Sequence, residues 1–245
     1  MLGLPYYVPP YLPSNPALAG LPAAFASIPL DRLATARDWL RGRRDVRADR
    51  IGIYGASKGA EFALAGAQRI PGFAAIAAIV PSDVIWEGWG PGIREGQSSS
   101  FAWRGRALPF VPYIGMAEEF AKFGRPGETP RLRTPQDAGR HANPGRVEPA
   151  RIRVETIAAP VLVAGGDQDP VWASGEMAQA IAERRAAAGR ATTVFIFPDA
   201  GHALTGTGTP PAGGARSQTA AADLAAQRVL WPATLAFFAQ NLKRP

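Results

Sequence analysis

The 245-residue chain contains no cysteine. That excludes disulfides, thiolate metal sites and a cysteine nucleophile, and it leaves the redox compartment open. Histidine is nearly as scarce, with only His141 and His202. Two histidines in separate segments offer no ligand cluster, so neither a metal nor another cofactor is expected. Of the 27 Lys and Arg residues, only Lys58, Lys122 and Lys243 are lysine. The net charge is +7, but the arginines are scattered through Ala/Gly/Pro-rich sequence. No basic stripe interleaved with aromatics forms, which argues against a nucleic-acid surface. The positive balance suits an anionic substrate. No uninterrupted apolar run approaches the length of a membrane span, so none is expected. Met1-Leu2-Gly3-Leu4-Pro5 has neither a charged n-region nor a continuous apolar h-region. It does not read as a signal peptide, and a cytoplasmic location is the expectation.

An apolar content of 47% allows a sizeable core. The length fits a single domain over 1–245, with one insertion. A short strand is expected near Gly3 to Val8. A helix opens at the Pro29-Leu30-Asp31 step and runs to about Leu40, with Leu30, Leu33, Arg37 and Leu40 on one face. Strands follow at Ile51–Tyr54, Phe73–Val80, 160–164 and 192–197. Helices are expected at Lys58–Arg69, 175–188 and Ala220–Asn241, the last packing Leu224, Val229, Leu235 and Phe238. Thr205–Thr219 is a Gly/Thr/Pro-rich loop. This alternation predicts an α/β fold with a mostly parallel sheet flanked by helices. Residues 82–150 break the rhythm and read as an irregular cap or lid. Trp86, Trp89 and Trp103 lie there. Two readings stay open: they pack the cap's own core, or they line an apolar pocket for an acyl chain. Trp172 joins them as a candidate substrate contact.

The most informative segment is Ile51-Gly52-Ile53-Tyr54-Gly55-Ala56-Ser57-Lys58-Gly59-Ala60-Glu61. An apolar strand enters a Gly-x-Ser-x-Gly and an Ala-rich helix leaves it. That is the form of a nucleophile elbow, a cramped turn that lifts a serine hydroxyl clear of the sheet. Gly55 and Gly59 leave room where a Cβ would strike a neighbour. Ser57 would sit at a helix N-terminus, which favours a developing oxyanion. Downstream, an apolar strand runs into Gly165-Gly166-Asp167-Gln168-Asp169-Pro170. A second runs into Pro198-Asp199-Ala200-Gly201-His202. The order Ser, acid, His is that of an α/β-hydrolase triad. Asp167 and Asp169 compete for the acid. Asp169 is preferred because it closes the Gly-x-x-Asp loop from Gly166, leaving Asp167 as a loop cap. His202 is the candidate base, while His141 is expected in a polar loop, Arg140-His141-Ala142-Asn143-Pro144, and reads as solvated. The Lys58 side chain is either solvated or a contact for an anionic leaving group such as a CoA phosphate. Glu61 suits the positive end of its helix.

On these residues the chain resembles the acyl-CoA thioesterase and bile-acid-CoA:amino acid N-acyltransferase family, in its C-terminal catalytic domain. That family is close to dienelactone hydrolases. The likeness rests on Gly55-Ala56-Ser57-Lys58-Gly59-Ala60-Glu61, on Gly166-Asp167-Gln168-Asp169-Pro170-Val171-Trp172-Ala173-Ser174 and on Ala200-Gly201-His202. Gly20-Leu21-Pro22-Ala23-Ala24 and Ile28-Pro29-Leu30-Asp31 add to it. The resemblance implies an α/β-hydrolase fold and a small-molecule acyl ester or acyl-CoA thioester as substrate. It implies Ser57 as nucleophile, Asp169 as triad acid, His202 as general base and the Lys58 backbone N–H as an oxyanion donor.

The chain departs from the family twice. Acyltransferase members use cysteine where Ser57 stands, which favours hydrolysis by water over transfer to an amine. The elbow also arrives at position 57, where the fold usually has some earlier strands. The early strands are therefore expected to be missing, leaving Ile51–Tyr54 as an unpaired apolar edge. The chain is then a fragment, or is read from a late start, or covers that edge with its N-terminal residues. The expected function is a serine hydrolase cleaving acyl thioesters. The rivals are a general carboxylesterase or dienelactone-type hydrolase, and an inactive hydrolase fragment serving as a scaffold.

Overall fold

The computed structural model describes residues 21–209 and 220–243. The strand expected near Gly3–Val8 lies outside the described residues, as do residues 210–219 of the Gly/Thr/Pro-rich loop. In chain order the first elements are β1 (Ile28–Pro29), α1 (Asp31–Arg41), β2 (Gly52–Ala56), α2 (Lys58–Ala67) and β3 (Ala75–Ile79). Then come β4 (Phe101–Trp103), β5 (Arg106–Ala107), α3 (Met116–Phe120), α4 (Arg133–Ala142) and α5 (Pro144–Ala150). A 3-10 turn at Val154–Thr156 leads to β6 (Val161–Gly166), α6 (Ser174–Ala187), β7 (Thr192–Phe197) and α7 (Ala221–Leu242). The chain forms two compact units. Among the described residues, one comprises 21–31, Val84–Pro130 and Pro135–Arg151; the other comprises Arg32–Asp83, Arg131–Thr134, 152–209 and 220–243.

The larger unit is built on a four-stranded parallel sheet in the order β2-β3-β6-β7. The two central strands read Ala-Ile-Ala-Ala-Ile and Val-Leu-Val-Ala-Gly-Gly, and every residue in them is buried. Such continuous apolar runs fit a parallel sheet covered on both faces. Helix α2 packs on β2 and β3, and α6 on β6 and β7. Ala75, Ala77 and Ile79 of β3 join Leu162 and Ala164 of β6 in a core with Ala226, Leu230 and Phe237 of α7. The alternate residues Ile76, Ala78, Val161 and Val163 point to the opposite face by the pleat and are just as buried. Among the described residues β2 pairs only with β3, and Tyr54 on it is 44% exposed.

The expected packing face of the last helix is corrected. Val229 and Leu235 are 55% and 52% exposed. The buried stripe is instead Asp223, Ala226, Gln227, Leu230, Thr234 and Phe237. Two polar residues near the helix start belong to it because their side chains bond to backbone, as described below. That choice rotates the apolar residues Val229 and Leu235 towards solvent.

In the smaller unit β1 runs parallel to β4, with Ile28 opposite Phe101, and β4 pairs antiparallel with β5. Phe25 stacks on Trp89 at 4.5 Å and meets Phe101 edge-on at 5.7 Å. The buried Glu87 carboxylate accepts backbone N–H bonds from Gly96, Gln97 and Tyr113. Residues 133–150 are more regular than their Gly and Pro content suggests, since they hold α4 and α5. Pro144 lies at the start of α5, where its missing N–H costs nothing. His141 lies in the last turn of α4, not in a loop, and is exposed. No helix among the described residues is long and apolar enough to cross a membrane.

Candidate active site

Strand β2 ends at Ala56, Ser57 forms the turn that follows, and α2 starts at the next residue. Ser57 has φ 55° and ψ −125°, a conformation that a residue bearing a Cβ rarely adopts. It is held by its N–H bond to Ile79 O at 2.9 Å, which ties the turn to the end of β3. A Cβ on Gly55 would lie 2.2 Å from Gly59 O. Only glycine fits where the strand and helix backbones approach so closely. This is the strained strand-to-helix turn expected of an elbow. Lys58 is the first residue of α2, so its N–H lies at the positive end of that helix.

The Lys58 ammonium is engaged inside the fold. Its Nζ lies 2.7 Å from Glu61 Oε2, with the Lys58 side chain nearly buried and that of Glu61 fully buried. Burial pushes the lysine below its usual range, and the attraction of Glu61 offsets that only in part.

Asp169 follows β6 and His202 follows β7, so both lie beyond the carboxyl ends of parallel strands, as Ser57 does. Asp169 Oδ1 accepts from Val171 N at 2.8 Å and from Trp172 N at 3.3 Å. Its Oδ2 lies 2.8 Å from His202 Nδ1. His202 Nε2 lies 2.9 Å from Ser57 Oγ. A carboxylate only accepts, so Nδ1 carries the proton and Nε2 is left to accept from the serine hydroxyl. The Asp169 side chain is fully buried, whereas that of His202 keeps 23% of its surface exposed. Such a relay can move a proton off Ser57 at the edge of solvent.

The remaining sequence candidates are placed differently. Asp167 is exposed, and its carboxylate borders Gly175 in the first turn of α6; a Cβ there would lie 2.1 Å from Asp167 Oδ1. Trp172 is buried, donates its indole N–H to Val80 O at 3.2 Å and sets its ring edge-on to His202 at 5.5 Å. It supports the imidazole from within the fold. Trp86 is buried in the smaller unit, stacked on Tyr113 at 5.6 Å. Trp89 stacks on Phe25, and the Arg104 guanidinium lies over Trp103 at 5.4 Å. Among the described residues, no group of three or more His, Asp or Glu side chains is placed to hold a metal ion.

Sequence reasoning missed Asp223 and Gln227 of α7. Asp223 accepts N–H bonds from Gly201 and Ala203, which flank His202. Gln227 donates to Ala203 O at 2.6 Å. The available signal was a pair of polar residues four apart in the mostly apolar first half of the helix.

The family described as BAAT / acyl-CoA thioester hydrolase C terminal matches residues 28–244. The chain belongs to this family. Among curated proteins none matches it. Among solved structures, a puromycin-hydrolyzing peptidase of Mycobacterium tuberculosis is 20% identical, with a TM-score of 0.50 over 87% of this chain and 25% of that one. An acylaminoacyl peptidase of Pyrococcus horikoshii is 13% identical, with a TM-score of 0.50 over 88% and 28%. Acetyl xylan esterase 1 of a Thermoanaerobacterium species is 14% identical, with a TM-score of 0.45 over 86% and 51%. The chain spans 25%, 28% and 51% of the length of these three proteins. The fold of this family member is that of the α/β-hydrolases, with a parallel sheet flanked by helices.

Proposed function

We propose that this family member is a serine hydrolase that cleaves acyl thioesters through an acyl-enzyme on Ser57. The observation that carries the reading is the relay from Ser57 Oγ to His202 Nε2 at 2.9 Å and from Nδ1 to Asp169 at 2.8 Å. The thioester, as against an oxygen ester, is favoured by the family to which residues 28–244 belong.

His202 takes the hydroxyl proton as Ser57 Oγ bonds to the acyl carbon. Asp169 holds the ring in the tautomer that can accept it, and stabilises the imidazolium that results. The tetrahedral oxyanion meets the N-terminal end of α2, with the Lys58 N–H as donor. The imidazolium then protonates the departing thiolate, and the acyl group stays on Ser57. His202 next deprotonates a water, which attacks the acyl-enzyme and releases the carboxylic acid. The chain has no cysteine at the nucleophile position, which favours water over an amine as acceptor.

Fluorophosphonate labelling of the purified chain, read by intact mass and peptide mapping, tests the nucleophile. One adduct on Ser57, absent in Ser57→Ala, is expected. A cooperatively folded chain without an adduct would refute the reading and favour a scaffold. Steady-state hydrolysis of an acyl-CoA against an aryl ester then tests the substrate class, and a kcat/KM that favours the aryl ester would point to a general carboxylesterase.

A further inference from the structure

We propose that Asp223 is a positioning residue for His202, with Gln227 as its partner. This rests on the reading of Ser57, Asp169 and His202 as a hydrolytic triad. Asp223 lies in the first turn of α7 and is only 6% exposed. Its Oδ1 accepts from Gly201 N and its Oδ2 from Ala203 N at 3.3 Å. The two backbone amides on either side of His202 therefore end on one carboxylate. One helical turn later Gln227 grips the same loop from the same helix face. Its Nε2 donates to Ala203 O at 2.6 Å, and its Oε1 accepts from Gly208 N at 3.0 Å.

The His202 loop needs this more than the other two. Ser57 sits in a turn pinned between β2, β3 and α2. Asp169 follows β6, which has strand partners on both sides. His202 follows β7, which among the described residues pairs only with β6. On its inner side the loop lies against the acid loop: Gln168 N donates to Ala200 O at 3.0 Å, and a Cβ on Gly166 would lie 2.2 Å from Ala200 O. On the other side α7 supplies the anchor. A buried carboxylate is a costly way to fill a helix face, and both of its oxygens are spent on this one loop. The imidazole must meet Asp169 and Ser57 at once, so a small backbone shift breaks one contact or the other.

The test uses the full chain and steady-state hydrolysis of an aryl ester, alongside the second-order rate of fluorophosphonate labelling. Misplacing a reacting group by about 1 Å costs roughly 100-fold. Asp223→Ala is expected to lower kcat and the labelling rate by about 10- to 100-fold, with KM within about twofold. Asp223→Asn keeps one acceptor and is expected to fall between Asp223→Ala and the wild type. Thr234→Ala is the control. It lies on the same buried stripe of α7, and among the described residues its hydroxyl bonds only to Leu230 O within the helix, at 2.9 Å. It is expected to lower Tm without lowering kcat. Should Asp223→Ala not fold, Asp223→Asn and Gln227→Ala must each show the loss of kcat at constant KM. The proposal is overturned if folded Asp223 variants keep wild-type kcat, or if kcat tracks Tm equally in Thr234→Ala. A wild-type chain that neither labels nor hydrolyses sinks the triad reading itself, an outcome distinct from an active wild type with equally active Asp223 variants.

Discussion

Asp167 and Asp169 stand two positions apart and differ in what reaches them. Asp169 is fully buried, accepts two backbone N–H bonds and faces His202 Nδ1. Asp167 is exposed beside the first turn of α6. Asp169→Asn presents an amide N–H to Nδ1 and drives the imidazole into the tautomer whose Nε2 cannot accept the serine proton. A loss of kcat of about 10³- to 10⁴-fold is expected. Asp167→Asn is expected to stay within about twofold, as an exposed substitution. Steady-state kinetics of the two variants checks this, and the reverse order would move the acid to Asp167. Much of the site was legible at this scale, because the serine turn needs glycine and each partner follows an apolar strand. The tryptophans were harder to read. A Trp signals burial without saying whether against protein or ligand, and Trp172 turns out to lie against His202 and Val80 O.

At the scale of elements, α2 carries an ion pair directly behind the serine. Lys58 and Glu61 are three residues apart, and their 2.7 Å contact is nearly sealed from water. Breaking such a pair takes the opposite charge at 2.7 Å away from a buried one. Glu61→Gln is therefore expected to cost about 3 kcal/mol of stability, and Lys58→Met with Glu61→Leu to recover most of it. Urea denaturation of the single and double variants measures this; a double variant as unstable as Glu61→Gln would contradict it. The pair also sets a pH dependence. An unfolded lysine titrates near 10.5, and burial places the folded Lys58 below that. The penalty that a charged Lys58 places on folding is full below the folded pKa and relieved as pH rises towards 10.5. In that window the unfolded state binds more protons, so the wild type gains stability relative to Lys58→Met as pH rises. Denaturation midpoints of both proteins at stepped alkaline pH would reveal the opposite slope if the ion pair outweighed desolvation. The strands of the larger unit were legible as short continuous apolar runs ending in Gly/Asp/Ser turns, and the helices as the longer segments between them. The buried face of α7 was not, because a hydrophobic periodicity cannot anticipate that Asp223 and Gln227 turn inward to hold a loop.

Across the whole larger unit the two ends of the sheet have separate tasks. Ser57, Asp169 and His202 lie beyond the carboxyl ends of β2, β6 and β7. At the opposite end the fully buried Arg185 of α6 ties the segments that enter β6 and β7. Its five N–H groups reach Thr192 Oγ1 and the carbonyls of Val154, Ile157, Ala159 and Ala191, at 2.7–3.0 Å. Burial, with Arg190 adding to it, lowers this guanidinium to about 10, so it stays protonated at neutral pH. No residue-level pattern marks such an arginine, since in sequence it reads as a solvated position near a helix end. Arg185→Ala leaves the Ile157 and Ala159 carbonyls without the donor they have here, each worth about 1 kcal/mol or more, while those of Val154 and Ala191 keep the N–H groups of Ile157 and Val161. With the bonds to Val154, Ala191 and Thr192 also lost, a loss of about 3 kcal/mol is expected, which is roughly 6–12 °C in Tm for a chain of this size. Arg185→Lys offers three donors from a single point in place of a planar fork, and should recover less than half of that. Both variants are expected to keep kcat within about twofold at a temperature where they remain folded, because Ser57, Asp169 and His202 lie at the other end of the same strands. Thermal unfolding and kinetics on the same preparations decide it. A kcat that falls while Tm holds would mean that the two ends of the sheet are coupled, and that the geometry of His202 depends on how β7 begins as well as on how it ends.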